Sequence, residues 1–319
     1  MDITLHLGAH RTATTSFQNY MRQNAADLRR QRIGFWGPRR TRAGVFTGVL
    51  PHHGQPFAEG AFDAARSRIL RAIDRAEASG LRHLIISDEN ILGAPSRNVW
   101  QGALYRDAGE RVERVVRAFS GRVDRVVMTV RPQQDYWPSV IAYAVHRGHP
   151  VPMAALLGRI AGSGRGWQDV VRDLAHAQTG ETQILLHGTP PEETFRALTG
   201  GMAEAPQAHR HHHLNGAPGR AEIREALTER GADASAVPSG DGRWQPFDEA
   251  QTASLAEAWQ DDAFWLAAGA EGLATCRPAA TIEDTKTHRP DRAGFHLPPG
   301  LLGRGHPNGI EKRRMVGTR

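Results

Sequence analysis

Three apolar runs of strand length constrain this chain more than any other feature. They are Ile3-Thr4-Leu5-His6-Leu7, His83-Leu84-Ile85-Ile86-Ser87 and the stretch from Val123 to Val130. Runs of this kind, bounded by loops, fit strands buried on both faces of a sheet. A helical pattern follows each. Phe17, Met21, Ala25 and Leu28 recur at helical spacing, with Gly34 as a stop. Ala61 to Ala78 predicts a second helix, with Ile69 and Ile73 inward. Ala108 to Phe119 predicts a third, with Val112, Val115, Val116 and Phe119 on one stripe. Phe35-Trp36 and Gln183–Leu186 read as further short strands. Pro138–His146, Trp167–Ala177, Ala221–Arg230 and Phe247–Ala267 read as helices, and Thr41–Gly60 as a loop. Strands alternating with helices predict an α/β fold: three α/β/α layers around a central parallel sheet.

The chain has 319 residues, 39% of them hydrophobic, enough for one large core. Residues 1–275 are expected to form the α/β domain. Residues 276–319, rich in Pro, Gly and Arg, are expected to form an irregular tail. The one cysteine, Cys276, rules out an intrachain disulfide and fits a reducing compartment. No apolar stretch approaches the roughly 20 residues of a membrane span, and the N-terminus lacks a signal-peptide pattern. The expectation is a cytoplasmic protein without a membrane span. Net charge is +6, but nine basic and four acidic residues lie from Cys276 onward. The remaining body is close to neutral, which argues against nucleic acid as a partner.

Lysine is almost absent. Of 40 Lys and Arg residues only Lys286 and Lys312 are lysine, which leaves 38 arginines. This bears on the loop after the first strand, Gly8-Ala9-His10-Arg11-Thr12-Ala13-Thr14-Thr15. A buried strand, a glycine and a hydroxyl-rich helix start make an anion cradle, because the helix N-terminus presents unpaired N–H groups. Arg11 adds a permanent charge and a donor fork. The loop is not a Walker A motif, which needs Lys-Ser/Thr after its second glycine.

A second candidate anion site lies at Arg131, at the end of the Val123–Val130 strand, with Ser139 eight residues on. Pro138 suits a first helical turn, so Ser139 is expected at a helix start with hydroxyl and N–H free. Both sites fall at the C-terminal ends of strands, where open α/β sheets bind ligands.

G-A-H-R-T-A-T-T resembles the G-x-x-K-T-G-T-T loop of the sulfotransferases that use 3′-phosphoadenosine 5′-phosphosulfate. Arg131 with Ser139 is similar to that family's 3′-phosphate motif. Arg11 stands where the family has lysine, and Ala13 where it has glycine. The resemblance covers about residues 1–270 and implies a P-loop NTPase-like fold. It implies that Gly8, His10, Arg11, Thr12, Ala13, Thr14 and Thr15 hold the 5′-phosphosulfate, and that Arg131 and Ser139 hold the 3′-phosphate. It implies sulfuryl transfer without a metal to a hydroxyl or amine on a small-molecule or carbohydrate acceptor, with Arg11 catalytic. Glu89, after the strand run at 83–87, is the candidate general base, with Asp88 second. A nucleotide kinase or NTPase of the same fold class, and a sulfonucleotide-binding protein with impaired catalysis, stand as alternatives. His209, His211, His212 and His213 suggest a metal tract, but adjacent histidines on one short segment rarely satisfy tetrahedral geometry, and a loop is the expectation. Trp259 and Asp262 are expected to pack.

Overall fold

The computed structural model describes residues 1–50, 57–207 and 216–277. Among these, six strands form one sheet: β1 (Asp2–His6), β2 (Ile33–Trp36), β3 (His83–Ser87), β4 (Arg125–Val130), β5 (Glu181–Leu186) and β6 (Thr275–Arg277). Their order is β2-β3-β1-β4-β5-β6, and every pairing is parallel. Helices cover both faces, as the apolar runs require.

Successive residues of each strand feed two different cores. Ile3, Leu5 and Leu7 of β1 and its extension join Leu84, Ile86, Val126, Met128 and Ile184 in the larger core. That core is closed by Phe62, Ile69, Val112, Val115, Trp137 and Trp167 from the helices. On the other face, Ile33, Ile85, Val127 and Leu185 meet Phe17, Met21, Leu28, Phe195 and Leu198. The strand order fits this division, since parallel crossovers favour the right hand and connections running in opposite directions along the sheet then place their helices on opposite faces.

Several boundaries differ from the sequence reading. Gly34 lies inside β2 and stops no helix; the helical stretch before it is broken into Thr14–Gln23 and Ala25–Arg30. A helical turn at Pro38–Arg40 leads into the segment read as a loop, which itself holds a turn at Thr41–Val45 and the start of the next helix at Glu59. The helix expected from Pro138 starts at Gln133, with Pro132 as its cap. The sheet also runs past residue 275, because Cys276 and Arg277 belong to β6 and pair with β5. The rest of the expected tail, with His52, His53 and the histidines at 209–213, lies outside the described residues.

Arginines fasten many of the loops. Arg111 donates to the carbonyls of Ile91 and Asn90 at 2.9 and 2.8 Å, and Arg230 to those of Val145 and His149 at 2.7 and 3.0 Å. Arg68 serves Val45 and Thr47, Arg165 serves Leu104 and Tyr105, and Arg224 serves Ala234 and Val237. Each guanidinium serves two carbonyls; Arg111, Arg165 and Arg230 do so through two different nitrogens of the fork, and Arg68 and Arg224 through one. Among the described residues no helix is long and apolar enough to cross a membrane.

Candidate functional site

The chain leaves β1 toward β2 on one side and leaves β4 toward β5 on the other. Neighbouring strands whose connections part in this way open a crevice at their C-terminal ends. The loop Gly8–Thr15 and Arg131 flank that crevice. The β1 backbone stays against β4 beyond its formal end, with Leu7 N–H donating to Val127 at 2.8 Å and Ala9 N–H to Thr129 at 2.9 Å.

The loop then turns tightly. A Cβ at position 8 would collide with Thr14 Oγ1, so any larger residue there would force the Thr14 hydroxyl out of its place. Arg11 and Ala13 both hold φ of 67°, a left-handed conformation that costs a non-glycine residue about 1 kcal/mol. Ala13 caps the helix Thr14–Gln23 without a side-chain hydrogen bond, and no acidic residue occupies the first turn. A left-handed residue followed by helical ones gathers successive N–H groups into one concavity, which suits an anion.

The hydroxyls divide by task. Thr12 Oγ1 donates to the Ala9 carbonyl at 2.6 Å and braces the loop rather than facing a ligand. Thr14 is 6% exposed, and its Oγ1 has no hydrogen-bond partner. Thr15 is half-buried in the first turn. A buried hydroxyl without a partner is costly unless a ligand or water satisfies it.

Arg131 is 8% exposed. Its Nη1 donates to the Arg11 carbonyl at 3.0 Å, and its Nε has no partner. Trp167 Nε1 fixes the Arg131 carbonyl at 2.8 Å. Asp262 in turn holds Trp167: it accepts the N–H groups of Trp167 and Gln168 at 3.0 and 3.1 Å and Gln133 Nε2 at 2.9 Å. Asp262 therefore caps the helix Trp167–His176 and supports Arg131 from behind.

Ser139 is not at a helix start. It lies in the second turn of Gln133–His146, where its N–H belongs to the helix ladder. Two prolines six residues apart each suit a helix start, and the earlier one sets it. The Ser139 hydroxyl still reaches the site, accepting from Arg11 Nε at 3.2 Å. The Arg11 guanidinium also lies over the Tyr143 ring, 5.4 Å from its centroid.

Burial lowers the pKa of Arg11 and of Arg131 below the ordinary arginine value. Tyr143 opposes this at Arg11, and Asp135 opposes it at Arg131. Arg243 adds like charge to both. Among the described residues none of these three arginines forms an ion pair with a carboxylate. The crevice thus gathers three arginines against the carboxylate of Asp135 as their electrostatic counterweight.

The end of β3 has a different character. Glu89 Oε1 accepts from Arg42 at 2.9 Å, and Oε2 from Gln18 at 3.1 Å. Burial would raise the Glu89 pKa, but the Arg42 hydrogen bond and charge outweigh it and hold it below the usual range. Asp88 is buried and accepts from Thr41, from Arg42 and from Asn90 N–H at 3.1 Å. It is a turn cap and an arginine anchor. His10 faces this cluster, away from the cradle. Its Nδ1 meets Tyr105 Oη at 2.9 Å and its Nε2 meets Asn90 Oδ1 at 3.2 Å, and burial lowers its pKa.

The sequence reading thus placed Gly8, Arg11, Thr14, Arg131 and Ser139 where the fold brings them together. It missed Arg243, Tyr143, Arg42 and Trp167. Arg42 falls in a stretch with no periodicity, and Arg243 lies 112 residues after Arg131, so no local pattern marks either. Among the described residues no group of His, Cys, Asp or Glu has the arrangement to hold a metal. Comparison with family models, curated proteins and solved structures finds no match. What the fold and site define is a three-layer α/β protein with a cationic crevice at its switch point.

Proposed function

We propose that this protein is a sulfotransferase that uses 3′-phosphoadenosine 5′-phosphosulfate. One observation carries the reading: Arg11 and Arg131, 120 residues apart, meet at the switch-point crevice beside two buried polar groups without partners. Two cationic centres flanking a helix N-terminus suit a ligand with two separated anionic groups.

In this reading the N–H groups of the loop, Thr14 and Arg11 bind the 5′-phosphosulfate, and Arg131 binds the 3′-phosphate. Arg11 stabilises charge that grows on the leaving oxygen, and it does so without giving up a proton. Glu89, kept ionised by Arg42, receives the acceptor's proton. A carboxylate so paired is a weak base, which suits a loose transition state of the kind known for phosphoryl transfer. Thr12 and His10 shape the loop. The acceptor is a hydroxyl or amine on a small molecule or carbohydrate.

Calorimetry with adenosine 3′,5′-bisphosphate and, separately, with Mg-ATP tests this directly. Binding of the bisphosphate alone is expected. Binding of Mg-ATP alone would replace the reading with a nucleotide kinase. Glu89→Gln is expected to abolish sulfuryl transfer at unchanged bisphosphate affinity, and wild-type turnover would remove Glu89 from the mechanism.

A further inference from the structure

The Arg11 side chain is not free to swing like a loop arginine. Its Nε–H donates to Ser139, and its guanidinium carbon lies over the Tyr143 ring, 5.4 Å from the centroid. Ser139 and Tyr143 are four residues apart on the helix Gln133–His146, so both face the same way. Tyr143 is half-buried, and Arg147 approaches the same ring at 6.0 Å from its centroid. The ring therefore lies against two cations, one of which belongs to the cradle loop.

We infer that Tyr143 is the positioning residue that fits this cradle to an arginine. A guanidinium is flat, so it rests on an aromatic face while its edges keep donor groups for an anion. An ammonium has no such plane and is shorter by the width of the fork. Position 11 in this chain is therefore matched to arginine by a partner on another element. Putting lysine there leaves the ring without its partner and the anion without its donor.

The inference rests on the anion-binding reading of the loop, and its test separates the two. Bisphosphate and inorganic pyrophosphate are titrated calorimetrically into wild type, Tyr143→Leu, Tyr143→Phe, Arg11→Lys and the Arg11→Lys/Tyr143→Leu double variant. Tyr143→Leu is expected to weaken both ligands about fivefold, the size of a partly exposed cation–π contact. Tyr143→Phe keeps the ring and is expected to rescue affinity. Arg11→Lys is expected to weaken binding, and Tyr143→Leu then to add little, because the two residues act as one unit. Equal losses from Tyr143→Leu in both backgrounds would overturn the inference, as would tighter binding by Arg11→Lys. Pyrophosphate binding without bisphosphate binding would sink the sulfonucleotide reading while the cycle on pyrophosphate still decides Tyr143. Binding of neither would sink both. A ligand-free signature stands beside these: the Arg11 Nε–H resonance, assigned by its loss in Arg11→Lys, is expected to move in Tyr143→Leu and to stay in Tyr143→Phe.

Discussion

Two arginine sites lie near each other at the C-terminal edge of the sheet, and they differ in sign of perturbation. Arg11 and Arg131, at the ends of β1 and β4, have their pKa lowered by burial and by Arg243. Arg42, at the end of β3, is also partly buried, but Asp88 and Glu89 outweigh the burial and raise its pKa. The side chains are chemically identical, so the contrast comes from their partners alone. At Arg42 the charge is spent on holding a turn. In the crevice it is held unspent, and an incoming anion relieves it. Arginine abundance by itself therefore says little about where a chain binds anions.

Acid should separate the two regions most strongly. His6 lies beneath the paired site, with Nδ1 2.9 Å from Ser87 Oγ. Burial lowers its pKa to about 4, against an opposing pull from Glu89. The unfolded chain binds this proton near pH 6.5. Stability is therefore complete above about pH 6.5 and falls as pH drops toward 4, by up to about 3 kcal/mol. Urea midpoints across that range should show the slope, and His6→Gln should reduce it, leaving the share of His10, whose pKa burial also lowers. An unchanged slope would move the acid sensitivity elsewhere.

Arg42→Ala comes next. It leaves Asp88 buried with one charge partner fewer, and should cost about 2 kcal/mol of stability after allowance for the exposure of Arg42. Bisphosphate affinity should not change. A variant of full stability and weakened affinity would invert the comparison. Arg131→Ala should do the reverse, weakening the bisphosphate by about 2 kcal/mol in calorimetry at near-constant stability. Smallest is Ala13→Gly, which relieves the left-handed backbone and should stabilise by about 1 kcal/mol or less. A lower urea midpoint would show that the Ala13 methyl contributes packing worth more than the strain.

The sheet was legible because β1, β3 and β4 are apolar runs that need cover on both faces. β6 was not, since Thr275-Cys276-Arg277 has no apolar run and is a strand only by virtue of β5 beside it. Within the site, Gly8 and Arg11 could be read locally because strand, turn and helix are contiguous there. Ser139 could be named but not placed, because Pro132 and Pro138 offer equivalent starts. Arg243 and Tyr143 act through space on residues far away in the chain, and spacing carries no trace of that. Asp262 read as packing and is more: a buried helix cap behind Arg131.

The guanidinium forks that fasten loop carbonyls have a historical consequence. A drift in base composition can turn lysines into arginines at little initial cost. Once Arg111, Arg165 and Arg230 each span two carbonyls through two different nitrogens, the reverse exchange unfastens a loop, since one ammonium does not reproduce a rigid two-pronged donor. Composition of this kind becomes entrenched. A lineage carrying such a chain could regain a lysine-rich genome and still be unable to return these positions to lysine one at a time.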